Sequence, residues 1–397
     1  MTKIIVDEKT IDEVLNRGVI SNILPTKEEF KKLLLSGRRI KIYIGFDATA
    51  DTLHLSHAKN IMLLEDFRKL GHEAILLFGD FTARIGDPSD QSGTRAMLSK
   101  DDVLNNVKNW QKQITNLINF KDKKNPAQLA FNSAWLAKLK MEDVLNLASN
   151  VTVQQMIERD MFQKRLKAGK HIFLHEFMYP LMQGYDSVAM EVDAELCGTD
   201  QTFNALMGRT LLRKLKNKDK FVVTVNLMEN PKTGELMSKS RGTGVFLNTS
   251  HSEMYGAIMA QPDEMIKILF VNCTRISLLE IEKIIKEQNP LKAKKLVAEE
   301  IVKNIFGEKE AKYAHDDWQT KFEKKEIPED VMEIKNEGDI LNTLLNNEII
   351  ESKGAGRRLL EAGAIKDMTE DKKLNLDDVF IKEHVYKIGK HKFIKII

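Results

Sequence analysis

From about residue 38 the hydrophobic positions switch between a period of two and a period of 3.6. Lys41-Ile42-Tyr43-Ile44-Gly45-Phe46 is a short run of β-branched and aromatic side chains, the composition of a strand. Residues 57–70 form an amphipathic helical pattern closed by Gly71, and Glu73–Phe78 returns as a strand rich in Ile and Leu. Strand, helix and parallel strand make the unit of a doubly wound α/β sheet, whose ligands sit at the carboxyl ends of the strands. The pattern continues with helices through residue 190, a strand near Val192–Leu196, a helix over 202–215 and a strong strand at Phe221–Val225. A Rossmann-like parallel-sheet domain is therefore expected over 1–245.

After residue 245 the strand signal fades. Segments 252–269, 277–287 and 291–305 read as helices, which predicts an α-helical domain over 246–325. The charged stretch Lys321–Glu333, with Pro328, reads as a linker. A small α+β unit over 334–397 ends in the alternating pattern HVYKIGKHKFIKII.

Composition narrows the class without naming it. The 397 residues are 42% hydrophobic and 30% charged, the balance of a globular protein with a sizeable core. No apolar run approaches the ~18 residues of a membrane span, and the first residues carry acids early with no apolar signal-peptide core. Cys197 and Cys273 lie far apart without CxxC spacing, against a disulfide framework or a structural zinc. No protein-held metal is expected, and a reducing cytoplasm is the default. A formal charge of +3 says nothing about nucleic acid, because local patches decide that.

Three segments carry chemistry. The first runs from Gly45 to His57 and places His54 and His57 at the opening of a helix, where free N–H groups and the dipole suit a phosphate. Two ordinary capping histidines would look the same. The second, Gly234 to Gly244, is a loop rich in Gly and Ser that contains Lys239, suited to closing a cation over polyphosphate; a solvated surface loop has similar composition. The third is Tyr179-Pro180-Leu181-Met182-Gln183-Gly184-Tyr185-Asp186. Its proline suits a first helical turn, and Tyr179, Gln183 and Asp186 share one helical face. A core stripe would be apolar, so this one is read as facing a ligand.

In order and separation, His54-Leu55-Ser56-His57 and Leu236-Met237-Ser238-Lys239-Ser240 resemble the HIGH and KMSKS signatures of class I aminoacyl-tRNA synthetases. The Tyr179–Asp186 segment, with Cys197-Gly198-Thr199-Asp200-Gln201 and with Phe78 to Ser89, resembles bacterial-type tyrosyl-tRNA synthetases over nearly the whole chain. The resemblance implies activation of tyrosine by ATP and its transfer to tRNA(Tyr). Tyr43 and Asp186 would contact the substrate's phenolic hydroxyl, and Asp87, Tyr179 and Gln183 its ammonium. Asp200 would bind the ribose, Gln201 the reacting carboxylate, and Gly45, Asp47 and Ser56 the adenylate. Thr49, His54 and His57 would face the phosphates. Met237, Ser238, Lys239 and Ser240, with Arg95, would sit on the pyrophosphate side.

The same resemblance implies magnesium arriving with ATP and a symmetric dimer formed through 100–190. It also implies a helical anticodon-side domain and a C-terminal "S-four" RNA-binding domain. There Lys353, Arg357 and Arg358 would meet RNA backbone, with Lys387, Lys390, Lys392 and Lys395 following. Two rival readings stay open: a tryptophanyl enzyme of the same class, and an inactive RNA-binding relative. Ser56 in place of the HIGH glycine and Leu236 in place of the first KMSKS lysine lend weight to the second. Together with a segment after Asp87-Pro88-Ser89 whose only positive charge is Arg95, they lead us to expect a weakened hold on ATP.

Overall fold

A computed structural model describes residues 3–85, 98–237, 244–324, 331–370, 372–389 and 392–397. The chain divides into two compact units, Met1–Ala311 and Lys312–Ile397.

The larger unit is built on a six-stranded sheet. Its strands are β1 (Ile20–Leu24), β2 (Lys41–Phe46), β3 (Glu73–Phe78), β4 (Gln128–Phe131), β5 (Ala194–Gly198) and β6 (Phe221–Val225), in the order β1-β6-β5-β2-β3-β4. All neighbours pair in parallel except β1, which runs antiparallel to β6 at the edge. Ile42, Ile44, Leu76, Val222 and Val223 are buried between helical layers, as a two-sided sheet requires. The principal helices are α1 (Leu55–Lys69), α2 (Lys100–Gln113), α3 (Leu174–Met190) and α4 (Thr202–Lys216). The parallel α/β architecture agrees with the pattern-based expectation. The short strands β1 and β4 were missed, because each has only four or five residues and half-exposed alternation.

Two local expectations need correction. The helical pattern over 252–269 is two helices, α5 (His251–Met259) and α6 (Met265–Cys273). Pro262 falls between them, and a proline cannot continue the ladder of the preceding turns. Pro180 does not open its helix either: α3 begins at Leu174, so the proline lies inside it and leaves the Glu176 carbonyl without its helical donor.

The helices α7 (Leu278–Glu287) and α8 (Pro290–Phe306) continue the helical region, which as far as Ala311 belongs to the same compact unit as the sheet. Arg17 helps join the two. Its guanidinium donates to the carbonyls of Val271 (3.1 Å), Thr274 (2.6 Å) and Ile276 (2.9 Å), where α6 leaves its last carbonyls unpaired.

The smaller unit carries a five-stranded sheet, β7 (Met332–Ile334), β8 (Ile365–Asp367), β9 (Lys372–Lys373), β10 (Val385–Ile388) and β11 (Lys392–Ile396), ordered β7-β11-β10-β8-β9. Two helices, α9 (Ile340–Asn346) and α10 (Lys353–Glu361), cover it over a core that includes Leu344, Leu360, Ile365, Tyr386 and Ile394.

Candidate active site

Sequence order runs β2, β3, β4 to one side of the larger sheet and β5, β6 to the other, so the winding reverses between β2 and β5. Ligands of doubly wound sheets bind outside the strand ends at such a reversal. A cavity of about 410 Å³ opens there. Tyr43, Gly45, Asp47, His54, Ser56, His57, Tyr179, Gln183, Asp186, Asp200, Gln201 and Met237 all line it. Most of the residues singled out from the sequence of the larger unit thus converge on one crevice. Thr49 stays just outside, its N–H donating to the Asp47 carbonyl at 2.8 Å. Asp87, Arg95, Ser238, Lys239 and Ser240 lie outside the described residues.

One end of the cavity is a buried polar floor. Asp186 is 3% exposed and accepts from Trp135 Nε1 at 2.7 Å and from Asn132 Nδ2 at 3.4 Å. Asn132 Nδ2 also donates to Thr82 Oγ1 at 3.0 Å, and the Thr82 hydroxyl donates to Asp47 at 2.6 Å. The Tyr179 hydroxyl donates to the other Asp47 oxygen at 2.8 Å. Burial pushes the Asp186 carboxyl well above its ordinary range, against the lowering effect of its two donors. The Tyr43 hydroxyl is also pushed up, first by burial and then by the neighbouring charges of Glu195 and Asp186. These groups are held away from water, each with a partner and with room to meet a polar ligand.

Gln183 is fixed on both sides of its amide. Its Nε2 donates to Glu195 at 3.1 Å, and its Oε1 accepts from Asn204 Nδ2 at 2.9 Å. Asn204 Nδ2 lies 2.9 Å from Gln201 Oε1 as well, and Gln201 Nε2 donates to Asp200 at 3.2 Å. A hydrogen-bonded row therefore runs from α3 to the start of α4. Asn132, Trp135, Thr82, Asn204 and Glu195 escaped sequence reasoning. Asn132 and Trp135 follow β4, the strand that the pattern did not show.

The other end is set by α1. His54 is its N-cap, and its backbone N–H donates to His57 Nδ1 at 3.3 Å. That bond makes Nδ1 of His57 the acceptor and Nε2 the protonated nitrogen, free to donate. Burial lowers the His54 pKa to about 4, and burial with help from His54 also lowers His57 well below its ordinary value. Both rings are therefore neutral near pH 7. The preceding turn is pinned by α2: Asn106 Nδ2 donates to the Ala48 carbonyl (2.9 Å), Trp110 Nε1 to Ala50 (2.8 Å) and Gln113 Nε2 to Asp51 (3.0 Å). Among the described residues His54 Nδ1, Ser56 Oγ and Asn60 Oδ1 have no partner although buried. Buried orphans of this kind point to a polar occupant.

The two ends of the Gly234–Gly244 loop are tied to this wall. Leu236 and Met237 line the cavity, and Met237 N–H donates to the Met228 carbonyl at 2.8 Å. Beyond the loop, Leu55 N–H donates to Val245 (3.0 Å) and Leu247 N–H to Leu53 (2.9 Å), so the segment lies beside the histidine pair. Among the described residues no cluster of three or more His, Cys, Asp or Glu side chains is arranged to hold a metal ion.

In the smaller unit Lys353, Arg357 and Arg358 are all exposed on α10. Lys395 differs from expectation: it pairs with Glu333 (3.3 Å) and Glu383 (3.2 Å), so its charge is already answered within the sheet. Lys392 Nζ donates to the Ile349 carbonyl at 2.9 Å, and Lys387 lies over the Phe393 ring. Lys390 lies outside the described residues.

A family model described as tRNA synthetases class I (W and Y) matches residues 35–323. The tyrosine–tRNA ligase of Carboxydothermus hydrogenoformans is 37% identical, over 97% of this chain and 97% of its own. That of Thermotoga maritima is 38% identical, over 97% and 96%. Among solved structures, a C-terminally truncated mitochondrial tyrosyl-tRNA synthetase of Aspergillus nidulans superposes with a TM-score of 0.66 at 22% identity, covering 79% of this chain and 94% of that one. At that identity the likeness speaks for the fold alone.

Burial of the neutral histidines has a pH consequence. The folded chain holds His54 unprotonated down to about pH 4, while the unfolded chain takes up that proton near 6.5. The unfolded state therefore binds more protons in this window, and stability falls as pH drops from about 6.5 toward 4. Urea unfolding across that range is expected to show the slope in the wild type and a shallower one in His54→Asn.

Proposed function

The chain belongs to the tyrosyl-tRNA synthetases of class I, and from that membership we propose how its cavity joins tyrosine to tRNA at the expense of ATP. The observation that carries the reading is the polar face of α3. Tyr179, Gln183 and Asp186 line the same crevice as the histidine pair, with Tyr43 beside them. Tyrosine lies with its phenolic hydroxyl between Tyr43 and Asp186 and its ammonium toward Tyr179, Gln183 and Asp87. A site built to pair with a hydroxyl leaves its own buried groups unsatisfied when phenylalanine enters, a rule for which this enzyme family is itself the standard illustration.

ATP occupies the end lined by Gly45, Asp47, Ser56, Asp200 and Met237, where the unpartnered atoms of His54, Ser56 and Asn60 fit a polar nucleotide. Gln201 orients the tyrosine carboxylate, whose oxygen attacks the α-phosphorus; the bond to the β-phosphate oxygen breaks and pyrophosphate leaves. The neutral imidazoles of His54 and His57 donate to the phosphate oxygens as charge builds there. Thr49, Ser238, Lys239, Ser240 and Arg95 serve the departing phosphates, and magnesium enters as the counter-ion of ATP. The 3′-terminal ribose hydroxyl of tRNA then attacks the tyrosyl carbonyl and AMP leaves. No protein nucleophile takes part; positioning and electrostatics carry both steps.

Buried free thiols at Cys197 and Cys273 suit a reducing compartment, and the proposed location is the cytoplasm. No helix among the described residues is long and apolar enough to cross a membrane. Met141, Leu145, Val153, Phe173 and Leu174 are exposed apolar side chains within 100–190, which supports the proposed homodimer through that region. Sedimentation of the full chain is expected to give a dimer that Leu174→Asp weakens.

On α10 the exposed Lys353, Arg357 and Arg358 form the proposed contact to tRNA backbone. Replacing all three with Gln is expected to raise KM for tRNA in aminoacylation and to leave tyrosine-dependent pyrophosphate exchange unchanged.

Pyrophosphate exchange is the direct test of the reading. Exchange that depends on tyrosine, and not on tryptophan, is the expected result; exchange with tryptophan alone, or with neither, refutes it. The buried, unpartnered Ser56 side chain stands where the adenine packs, so Ser56→Gly is expected to lower KM for ATP.

A further inference from the structure

Lys220 and Glu195 form an ion pair, with side chains 0% and 2% exposed, in which Glu195 lines the cavity and Lys220 lies behind it. The reaction described above uses neither as acid, base or nucleophile. Buried ion pairs are weak evidence of stabilisation, since desolvation offsets their attraction. Their neighbours are more informative. The Lys220 ammonium also donates to Ser187 Oγ at 2.6 Å and lies 5.7 Å from the centre of the Tyr43 ring. Ser187 Oγ is 3.0 Å from the Tyr43 hydroxyl and 3.4 Å from Glu195 Oε2. Gly208 leaves the room for this arrangement: a Cβ there would stand 2.7 Å from Lys220 Nζ and 2.8 Å from Ser187 Oγ.

The protons can be counted. An ammonium only donates, so Ser187 Oγ accepts from Lys220 and has one proton of its own to give. That proton can go to the Tyr43 oxygen at 3.0 Å or to Glu195 Oε2 at 3.4 Å. Given to Tyr43, the shorter contact, it leaves the Tyr43 proton for the cavity side. An unpaired Glu195 carboxylate would be the strongest acceptor nearby and would draw that proton away. Through Oε1, Glu195 also accepts from Gln183 Nε2 and so holds the amide in one orientation.

We propose that Lys220 is a positioning residue for recognition of a phenol: through Ser187 it directs the Tyr43 proton into the cavity, and by holding Glu195 it sets the facing of the Gln183 amide. The proposal rests on the reading that tyrosine occupies this cavity. The substrate oxygen then accepts from Tyr43 and donates its own proton to Asp186, so both capacities of the hydroxyl are used.

The test is pyrophosphate exchange by the full chain with tyrosine and with phenylalanine, in wild type, Ser187→Ala and Lys220→Met/Glu195→Gln. The double substitution removes both charges together and strands neither. In Ser187→Ala the Tyr43 oxygen loses its donor and its proton is no longer held on the cavity side, so KM for tyrosine is expected to rise about 10- to 100-fold. Phenylalanine has no hydroxyl to misplace, and its kcat/KM should move less than about threefold. The double variant, which also frees the Gln183 amide, should weaken both amino acids, tyrosine more. Equal loss of the two substrates in Ser187→Ala, or no loss of either, overturns the proposal, as does a folded double variant with wild-type tyrosine kinetics. If the double variant does not fold, Ser187→Ala, which keeps the Lys220–Glu195 pair, decides alone. A wild-type chain without tyrosine-dependent exchange refutes the occupancy of the cavity itself.

Discussion

The parallel pairing of β2 with β5 is the constraint on which the site depends. Ile42 faces Ala194, Tyr43 faces Glu195 and Ile44 faces Leu196 in that register. The chain leaves these two strands toward opposite sides of the sheet, and the crevice opens where the connections part. The same pairing sets Tyr43 and Glu195 next to each other in the floor. A slip of one residue between the strands would put Tyr43 and Glu195 on opposite faces and dissolve the floor.

Around this crevice the protein concentrates polar groups where water is scarce. Asp186, Asn132, Ser187, Glu195, Asn204 and Lys220 are all buried, and each is held by at least one neighbour. Such a network is costly if half-satisfied and sharply selective if complete. Its members are fixed before a ligand arrives, so little reorganisation is left for the moment of binding. The histidine end follows the same logic: the α1 N-terminus and two neutral imidazoles present donors, while α2 holds the turn that aims them.

Close helix packing makes the network possible. A Cβ at Gly184 would meet Leu211 at 2.9 Å and the Gly208 backbone nitrogen at 3.2 Å, so α3 and α4 can approach only because both positions are glycine. That approach carries Asn204 to Gln183 and leaves Gly208 open beside Lys220. The segment 245–247, laid against 53–55, brings the described ends of the second signature to the first.

By itself the sequence determined the parallel α/β class, the order of its strong strands, and the membership of the polar face at 179, 183 and 186. Periodicity and short motifs are local properties, readable without contacts. Only the tertiary structure decided what those groups touch. Asn132 with Trp135, Ser187, Glu195 and Lys220 come from four separate stretches of the chain, and nothing in their local spacing marks them as one cluster. The break at Pro262 and the interior place of Pro180 were likewise settled by packing, because a proline's effect depends on where the surrounding helix finds its partners. Pairing across a sheet and burial between layers are non-local, and a linear pattern does not contain them.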